Sequence, residues 1–327
     1  MKIVVLSQGP NLYSTRRIVS VARRRGHSVE VLNPLRLSIA ILDGLPVILH
    51  RRRPIAAPDA VIPRIAASIT EYGLAVLRQF EALGAVALNR SESIERSRDK
   101  LRCLQVLARK GVGMPDSAFA MDGHGAVDAI APFSLGPLPR GRTRRQRPLV
   151  VKRLKGTQGK GVILADSPER ARALLDAFRQ DDDQALIQRF VAESAGRDVR
   201  VLVVGGRAVA CMERRAGNPG EFRSNLHLGG TARAIRLDPA VERAALRSTK
   251  ALGLSVSGVD VLLSKKGPLV LEVNASPGLE GIEGATGVNV AGKLIEELEH
   301  LVSEKRRALR LKRAGRRRPA ATVRYAS

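Results

Sequence analysis

Residues 2–6 (KIVVL) form an unbroken apolar run, the pattern of a short strand buried on both faces. Helical spacing of apolar positions follows over 14–25, and SVEVL at 28–32 gives a second strand, so the chain opens as a βαβ unit. The turn between them, SQGPN, lacks GxGxxG and gives no support for a dinucleotide site. DAVIP at 59–63 predicts another strand and 68–83 a helix. Residues 91–110 predict one long amphipathic helix, with Leu101, Leu104, Val106 and Leu107 near one face and Gly111 and Gly113 past its end. After a weakly patterned stretch, 148–165 reads as strand, glycine loop, strand, and 168–180 as helix. Strands are expected at 185–191, 198–204 and 207–214, the last two joined by Gly205-Gly206 as a two-residue hairpin turn. A helix at 239–252, a hairpin at 259–274 and a helix at 289–302 complete the pattern, with no internal repeat. This is an α/β (α+β) protein whose first 95 residues form a small α/β domain of their own.

Composition narrows the classes. With 44% hydrophobic residues in 327, the chain builds cores rather than a disordered tail, and its length suits about two or three domains. Aromatics are 3% with no Trp, which weakens a single-strand nucleic-acid binder that stacks bases on rings. Cys103 and Cys211 have no metal or redox spacing and read as reduced thiols, so a cytoplasmic setting is expected. No apolar run reaches the length of a signal peptide or a membrane span, so no membrane partner is expected.

The formal charge of +25 is uneven: residues 303–327 hold ten bases and one acid, and residues 131–148 five bases and no acid. Both segments read as irregular, the first as a disordered basic tail and the second as a Pro- and Gly-rich basic insertion. They are either solvated appendages or an electrostatic handle for RNA, ribosomes or an acidic partner.

Three groups carry candidate chemistry. In the 259–274 hairpin, a three-residue turn over Lys265, Lys266 and Gly267 places Asp260 opposite Glu272, each six residues from Lys266. Asn274, two residues beyond Glu272, shares its face, so three hard oxygen ligands converge where facing acids would otherwise repel. A magnesium ion would offset that repulsion, whereas in an arbitrary hairpin two such acids simply face solvent. Lys152 with the loop GTQGKG (156–161) is the second group, a lysine and close-approaching amides suited to phosphate. It is not a Walker loop, because Val162 stands where Lys is required. The third is FRSNLHLGG (222–230), where Arg223 and Asn225 are able to reach phosphate or substrate oxygens, or form only a polar surface loop. The five histidines show no ligand spacing, and Cys103 falls on the apolar side of its helix, where a buried thiol is the expectation rather than a nucleophile.

RDKLR (98–102), VVK (150–152), GTQGKG, the RSN triplet (223–225), GVD (258–260) and LEVNASPGLEGIE (271–283) together resemble the ATP-grasp ligases. Within them the chain looks most like the glutamate ligases that modify the sixth protein of the small ribosomal subunit, from residue 1 to about 302. The resemblance implies an ATP-grasp fold: an N-terminal pre-ATP-grasp domain (1–95), a central lobe (96–184) carrying the insertion, and a C-terminal lobe with the metal site (185–302). It implies that Lys100 and Lys152 bind ATP phosphates beside Gly156, Gly159 and Gly161. Gln188, Arg189 and Phe190 would pass the adenine, Asp198 would contact the nucleotide, and Arg223, Ser224 and Asn225 would bind ATP or the acyl phosphate. Lys152, Arg223 and Asn225 are thus the expected catalytic set, and Asp260, Glu272 and Asn274 the expected ligands of Mg2+ or Mn2+, as two ions. Three departures stand out: Arg189 where relatives carry Glu, the basic insertion, and the tail.

The implied activity joins L-glutamate to the C-terminus of a ribosomal protein with an acidic C-terminus, through an acyl phosphate made from ATP. A homo-oligomer, a tetramer among the options, and a ribosome or RNA contact through the tail are further expectations. Two rivals remain: an ATP-grasp ligase with another acceptor, such as a small metabolite or acidic carrier protein, and a non-catalytic RNA- or ribosome-binding protein on a degenerate ligase fold.

Overall fold

The apolar run at the start becomes β1 (Lys2–Ser7) in the computed structural model, which describes residues 1–120, 123–134, 148–154, 161–180 and 184–316. The chain divides into two compact units, residues 1–90 with 291–327, and residues 91–290.

In the first unit, α1 (Tyr13–Arg24) leads from β1 to β2 (Ser28–Leu32), which pairs parallel with β1 as the βαβ pattern requires. Then come β3 (Leu37–Leu42), β4 (Leu45–His50), β5 (Arg53–Pro54), β6 (Ala60–Arg64), α2 (Thr70–Ala82) and β7 (Val86–Ala87). The parallel sheet has the order β2-β1-β6-β7, and β3-β4-β5 form a separate antiparallel sheet. The β3–β4 hairpin has no counterpart in the hydropathy reading. Its signal is Asp43-Gly44 between two apolar runs, both residues at positive φ (49° and 75°), as a tight hairpin turn demands.

In the second unit, the single helix expected over 91–110 is two, α3 (Ser91–Arg98) and α4 (Lys100–Arg109). Asp99 breaks it: its side chain accepts from the backbone N–H of Arg102 at 2.9 Å and caps α4, so Lys100 begins a new helix. After these come β8 (Ser117–Ala120), α5 (Gly123–Ser134), β9 (Leu149–Arg153), β10 (Val162–Ala165), α6 (Pro168–Gln180) and β11 (Ala185–Arg189). Residues 131–134 of the expected insertion therefore belong to α5; 135–147 lie outside the described residues. The sheet runs β10-β9-β11-β8. Leu149, Val151, Ala185 and Ile187 on one face pack with Leu175 and Phe178 of α6 and Ile130 of α5. Burying a side chain such as Leu175 or Phe178 contributes roughly 1.5–3 kcal/mol.

The rest of this unit comprises β12 (Arg197–Val204), β13 (Arg207–Arg215), β14 (Thr231–Ala234), α7 (Pro239–Leu252), β15 (Val256–Ser264), β16 (Gly267–Asn274) and α8 (Glu280–Thr286). These strands form an antiparallel sheet in the order β14-β13-β12-β15-β16. Gly205 and Gly206 do form the two-residue turn, both at positive φ (56° and 74°). The segment after Asn274 turns helical at Glu280, before the helix expected at 289–302.

The last helix, α9 (Val290–Arg316), does not give way at 302 to a disordered tail. Arg25 and His27 hold Glu299, Lys305 donates to the carbonyl of Gly84, and Arg306 pairs with Asp59 at 2.7 Å, so the basic turns continue an anchored helix. Residues 317–327 lie outside the described residues. No described helix is long and apolar enough to cross a membrane.

Candidate active site

The five-stranded sheet has two unlike faces. Residues opposite one another on paired strands share a face, and alternate residues along a strand change face. Asp198 pairs with Arg214, Arg200 with both Met212 and Asp260, Asp260 with Glu272, and Gly258 with Asn274. These residues therefore lie together on one face. The other face carries Val199, Val201, Ser257, Val259, Val261 and Val273, all buried. It is covered by α7, whose Thr249 hydroxyl meets that of Ser257 at 2.6 Å. The valines explain the strands; the charges between them need another explanation.

Asp260 does stand opposite Glu272, by a different route from the one expected. The turn holds only Lys265 and Lys266, with Ser264 paired to Gly267, and that count alone would put Leu271 against Asp260. A bulge between Asp260 and Val261 adds the missing residue and restores the pairing of Asp260 with Glu272.

A chain of ion pairs crosses this face. Arg200 donates two parallel bonds to Asp260, Nε to Oδ1 and Nη2 to Oδ2, each 2.6 Å. Arg214 Nη2 lies 2.9 Å from Asp260 Oδ2, and its Nε donates to Asp198 Oδ1 at 2.7 Å, with Nη2 closing a second bond to Asp198. Ser224 also hydrogen-bonds Asp198, which brings one member of the RSN triplet into the chain. Burial alone would push the Asp260 carboxyl up, but Arg200 and Arg214 overcome it and hold Asp260 below the usual carboxylate range. Asp198 moves the other way, raised by burial and by the charge of Asp260 against the pull of Arg214 and Ser224. Glu272 is raised by desolvation and by Asp260, partly offset by Arg200, Lys152 and Lys100. Glu272 itself stays exposed to solvent, so the desolvation comes from the groups crowded around it rather than from a place in the core.

The lysines come from the neighbouring elements. Lys152 sits on β9 on the face away from α5 and α6, and its Nζ donates to Gln188 Oε1 at 2.5 Å. Gln188 in turn donates to the Ser117 hydroxyl at 2.9 Å. Desolvation, deepened by Lys100 and countered by Glu272, pushes Lys152 down to about 8. Lys100, at the first turn of α4, donates to the carbonyls of Arg153 (2.8 Å) and Leu154 (2.7 Å), where β9 runs into the glycine loop. Gly156 and Gly159 lie outside the described residues. Gly161 closes the loop at φ 71°, its carbonyl accepting from Arg153 N at 3.0 Å.

The remaining expected residues make contacts of their own. Phe190 meets Phe222 edge to face, with centroids 6.1 Å apart. Arg189 pairs with Asp116 at 2.7 Å and lies over the Phe133 ring. Arg223 is held by Glu221, Nη2 to Oε2 at 2.7 Å, and lies over Phe222. Asn225 precedes a short turn over Leu226–Leu228, its carbonyl accepting from Leu228 N at 3.0 Å. Cys103 and Cys211 are both buried, as free thiols. Among the described residues no three His, Cys, Asp or Glu side chains cluster as metal ligands, so any cation here rests on two carboxylates and the Asn274 amide.

Arg200 and Arg214 are the residues the sequence reading did not single out. Their signal was present: DVRV sets Asp198 and Arg200 two apart between valines, a polar alternation in a strand otherwise apolar.

Opposed carboxylates with two lysines in electrostatic reach are a set of groups suited to phosphate and a cation. Comparison with known proteins gives the class. Residues 97–298 match the RimK-like ATP-grasp domain and residues 1–94 the RimK pre-ATP-grasp domain. A probable alpha-L-glutamate ligase of Aeromonas salmonicida is 50% identical over 305 residues, 93% of this chain and 98% of that protein. One from Azotobacter vinelandii is 50% identical over 299 residues, 91% and 95% of the two chains. The fold is shared with a RimK-domain ATP-grasp protein of Sphaerobacter thermophilus (TM-score 0.68, 21% identity, 90% and 98% of the two chains). It is shared too with the ATP-grasp ligase PsnB, solved with a phosphomimetic variant of its minimal precursor, Mg and ADP (TM-score 0.66, 21% identity, 92% and 98%). The chain belongs to the RimK-like ATP-grasp family, with the pre-ATP-grasp domain at its N-terminus, and it is an ATP-dependent ligase.

Proposed function

We propose that this ligase joins L-glutamate to the C-terminal carboxylate of a protein acceptor, a small-subunit ribosomal protein with an acidic C-terminus being the acceptor class. The observation that carries the reading is the pairing of Asp260 with Glu272 on a sheet face that Lys152 and Lys100 also influence. The half-identical relatives named probable alpha-L-glutamate ligase support the choice of amino acid.

In this reading the acceptor carboxylate attacks the γ-phosphorus of ATP, ADP leaves, and an acyl phosphate forms. The glutamate amine then attacks the acyl carbon, phosphate leaves with the bonding pair, and the amine loses a proton. The first step brings anion to anion, so the protein's main task is to gather positive charge and hold the partners in line. Lys152 and Lys100 face the phosphates. Gly161, at φ 71°, closes the glycine-rich segment that follows β9. Gln188 holds the Lys152 ammonium in place, and Phe190 with Phe222 offers an apolar wall for the adenine. Arg223 and Asn225 meet the transferring phosphoryl or the acyl phosphate, and Ser224 fixes Asp198 beside them.

Asp260, Glu272 and Asn274 fit a hard divalent cation. Two carboxylates are opposed at one register position, Glu272 is raised by the charge of Asp260, and an amide oxygen lies two residues on. Bound there, Mg2+ would neutralise phosphate charge. The reading predicts ADP release that needs both glutamate and an acceptor, and an acceptor that gains whole glutamyl masses at its C-terminus. ADP release indifferent to glutamate, or an unmodified acceptor, overturns it.

A further inference from the structure

Arg214 and Arg200 hold Asp260 in different ways. Arg214 is shared between Asp198 and Asp260, and its side chain is 6% exposed. Arg200 spends its two-pronged bond on Asp260, and its side chain keeps 17% of its surface open. Gly258 lies beside it: a Cβ there would stand 2.8 Å from the Pro277 ring, so the glycine makes room for Pro277, while Arg200 Nε at 3.9 Å would be in ordinary contact. Of the two guanidiniums, Arg200 is the one free to leave without stranding a second carboxylate.

Charge balance gives that departure a purpose. Among the sheet's own residues on this face, Asp198, Asp260 and Glu272 oppose Arg200 and Arg214, which leaves a single negative charge; Lys152 and Lys100, assigned above to phosphate, stand outside this count. With Arg200 swung away the excess is two, the complement of a divalent cation. With Arg200 in place, a cation reaching Asp260 would meet a like charge bonded to both carboxylate oxygens. Phosphate oxygens offer a guanidinium the same planar, two-bond partner that the carboxylate does.

We propose that Arg200 is a positioning residue that occupies Asp260 in the nucleotide-free enzyme and releases it when nucleotide oxygens arrive to take the guanidinium. This rests on Asp260 being a metal ligand, as proposed above. Arg200 thereby keeps the opposed carboxylates neutralised between turnovers and couples the entry of nucleotide and cation.

The test is Mn2+ binding to the full-length, nucleotide-free protein, read by electron paramagnetic resonance. Arg200→Met should bind Mn2+ about tenfold or more tightly than wild type. Arg200→Lys, which keeps the charge but loses the fork, should fall between them and carries the test if the first variant does not fold. Arg215→Met removes the same charge from the opposite face of the sheet and should bind as wild type. Mn2+ affinity unchanged in both Arg200 variants overturns the proposal, as does an equal gain in Arg215→Met. Adding Asp260→Asn to Arg200→Met should abolish the gain; Mn2+ binding that survives it overturns the metal assignment itself.

Discussion

Asp260 lies opposite Glu272 because a bulge makes up for a turn one residue shorter than the spacing suggested. The register that sets two carboxylates together is thus determined by ladder geometry. The same face joins Asp260 through Arg214 to Asp198, so nucleotide-contacting and cation-binding candidates belong to one network of charges.

That network should be costly to open at its centre. Arg214→Met leaves Asp198 and Asp260 as buried carboxylates without their shared partner. Removing one member of a buried ion pair costs about 3–5 kcal/mol. Urea unfolding at pH 7 should show a loss of that size, and a loss below about 1 kcal/mol would show that the pairing carries little of the fold.

The anchoring of α9 predicts an acid-sensitive term. Glu299 is held below its ordinary value of 4.5 by hydrogen bonds from Arg25 and His27, against some desolvation. A depressed carboxyl adds stability above its unfolded value and loses it as pH falls through its folded one. Glu299→Gln should therefore destabilise by about 1 kcal/mol or less at neutral pH, with the gap to wild type closing in acid. Thermal unfolding from pH 7 down to pH 3 checks this; a gap that persists in acid would contradict the ionic origin.

Much of this arrangement was legible in the sequence where local pattern and tertiary need agree. The valine alternation gave the site strands, and the glycine pair at 205–206 gave their turn. What escaped had competing signals. Asp99 sits inside a continuous helical pattern and breaks it as a cap. The β3–β4 hairpin rests on Asp43-Gly44 rather than on clean alternation. The basic turns of α9 look like a tail because charge hides their periodicity, and contacts far away in sequence (Gly84 and Asp59) hold them. Arg200 and Arg214 were the deepest omission, since only cross-strand register shows that they share one carboxylate.

Because α9 is helical through Arg316, its exposed bases Arg307, Arg310 and Lys312 form an ordered cationic surface rather than a loose tail. Replacing these three by Gln leaves the Arg306–Asp59 anchor intact. The triple variant should raise KM for an acidic acceptor several-fold at low salt and converge on wild type at high salt, with KM for ATP unchanged. Acceptor kinetics equal to wild type at low salt would remove these residues from acceptor capture.

We propose that the opposed carboxylates of β15 and β16 serve catalysis rather than the fold. Glu272 is the member to change, since its side chain is exposed whereas that of Asp260 is buried. Measured by ADP release in the presence of glutamate and acceptor, Glu272→Gln should fall by on the order of 100-fold or more with thermal unfolding near wild type. Wild-type turnover in that variant would contradict the account.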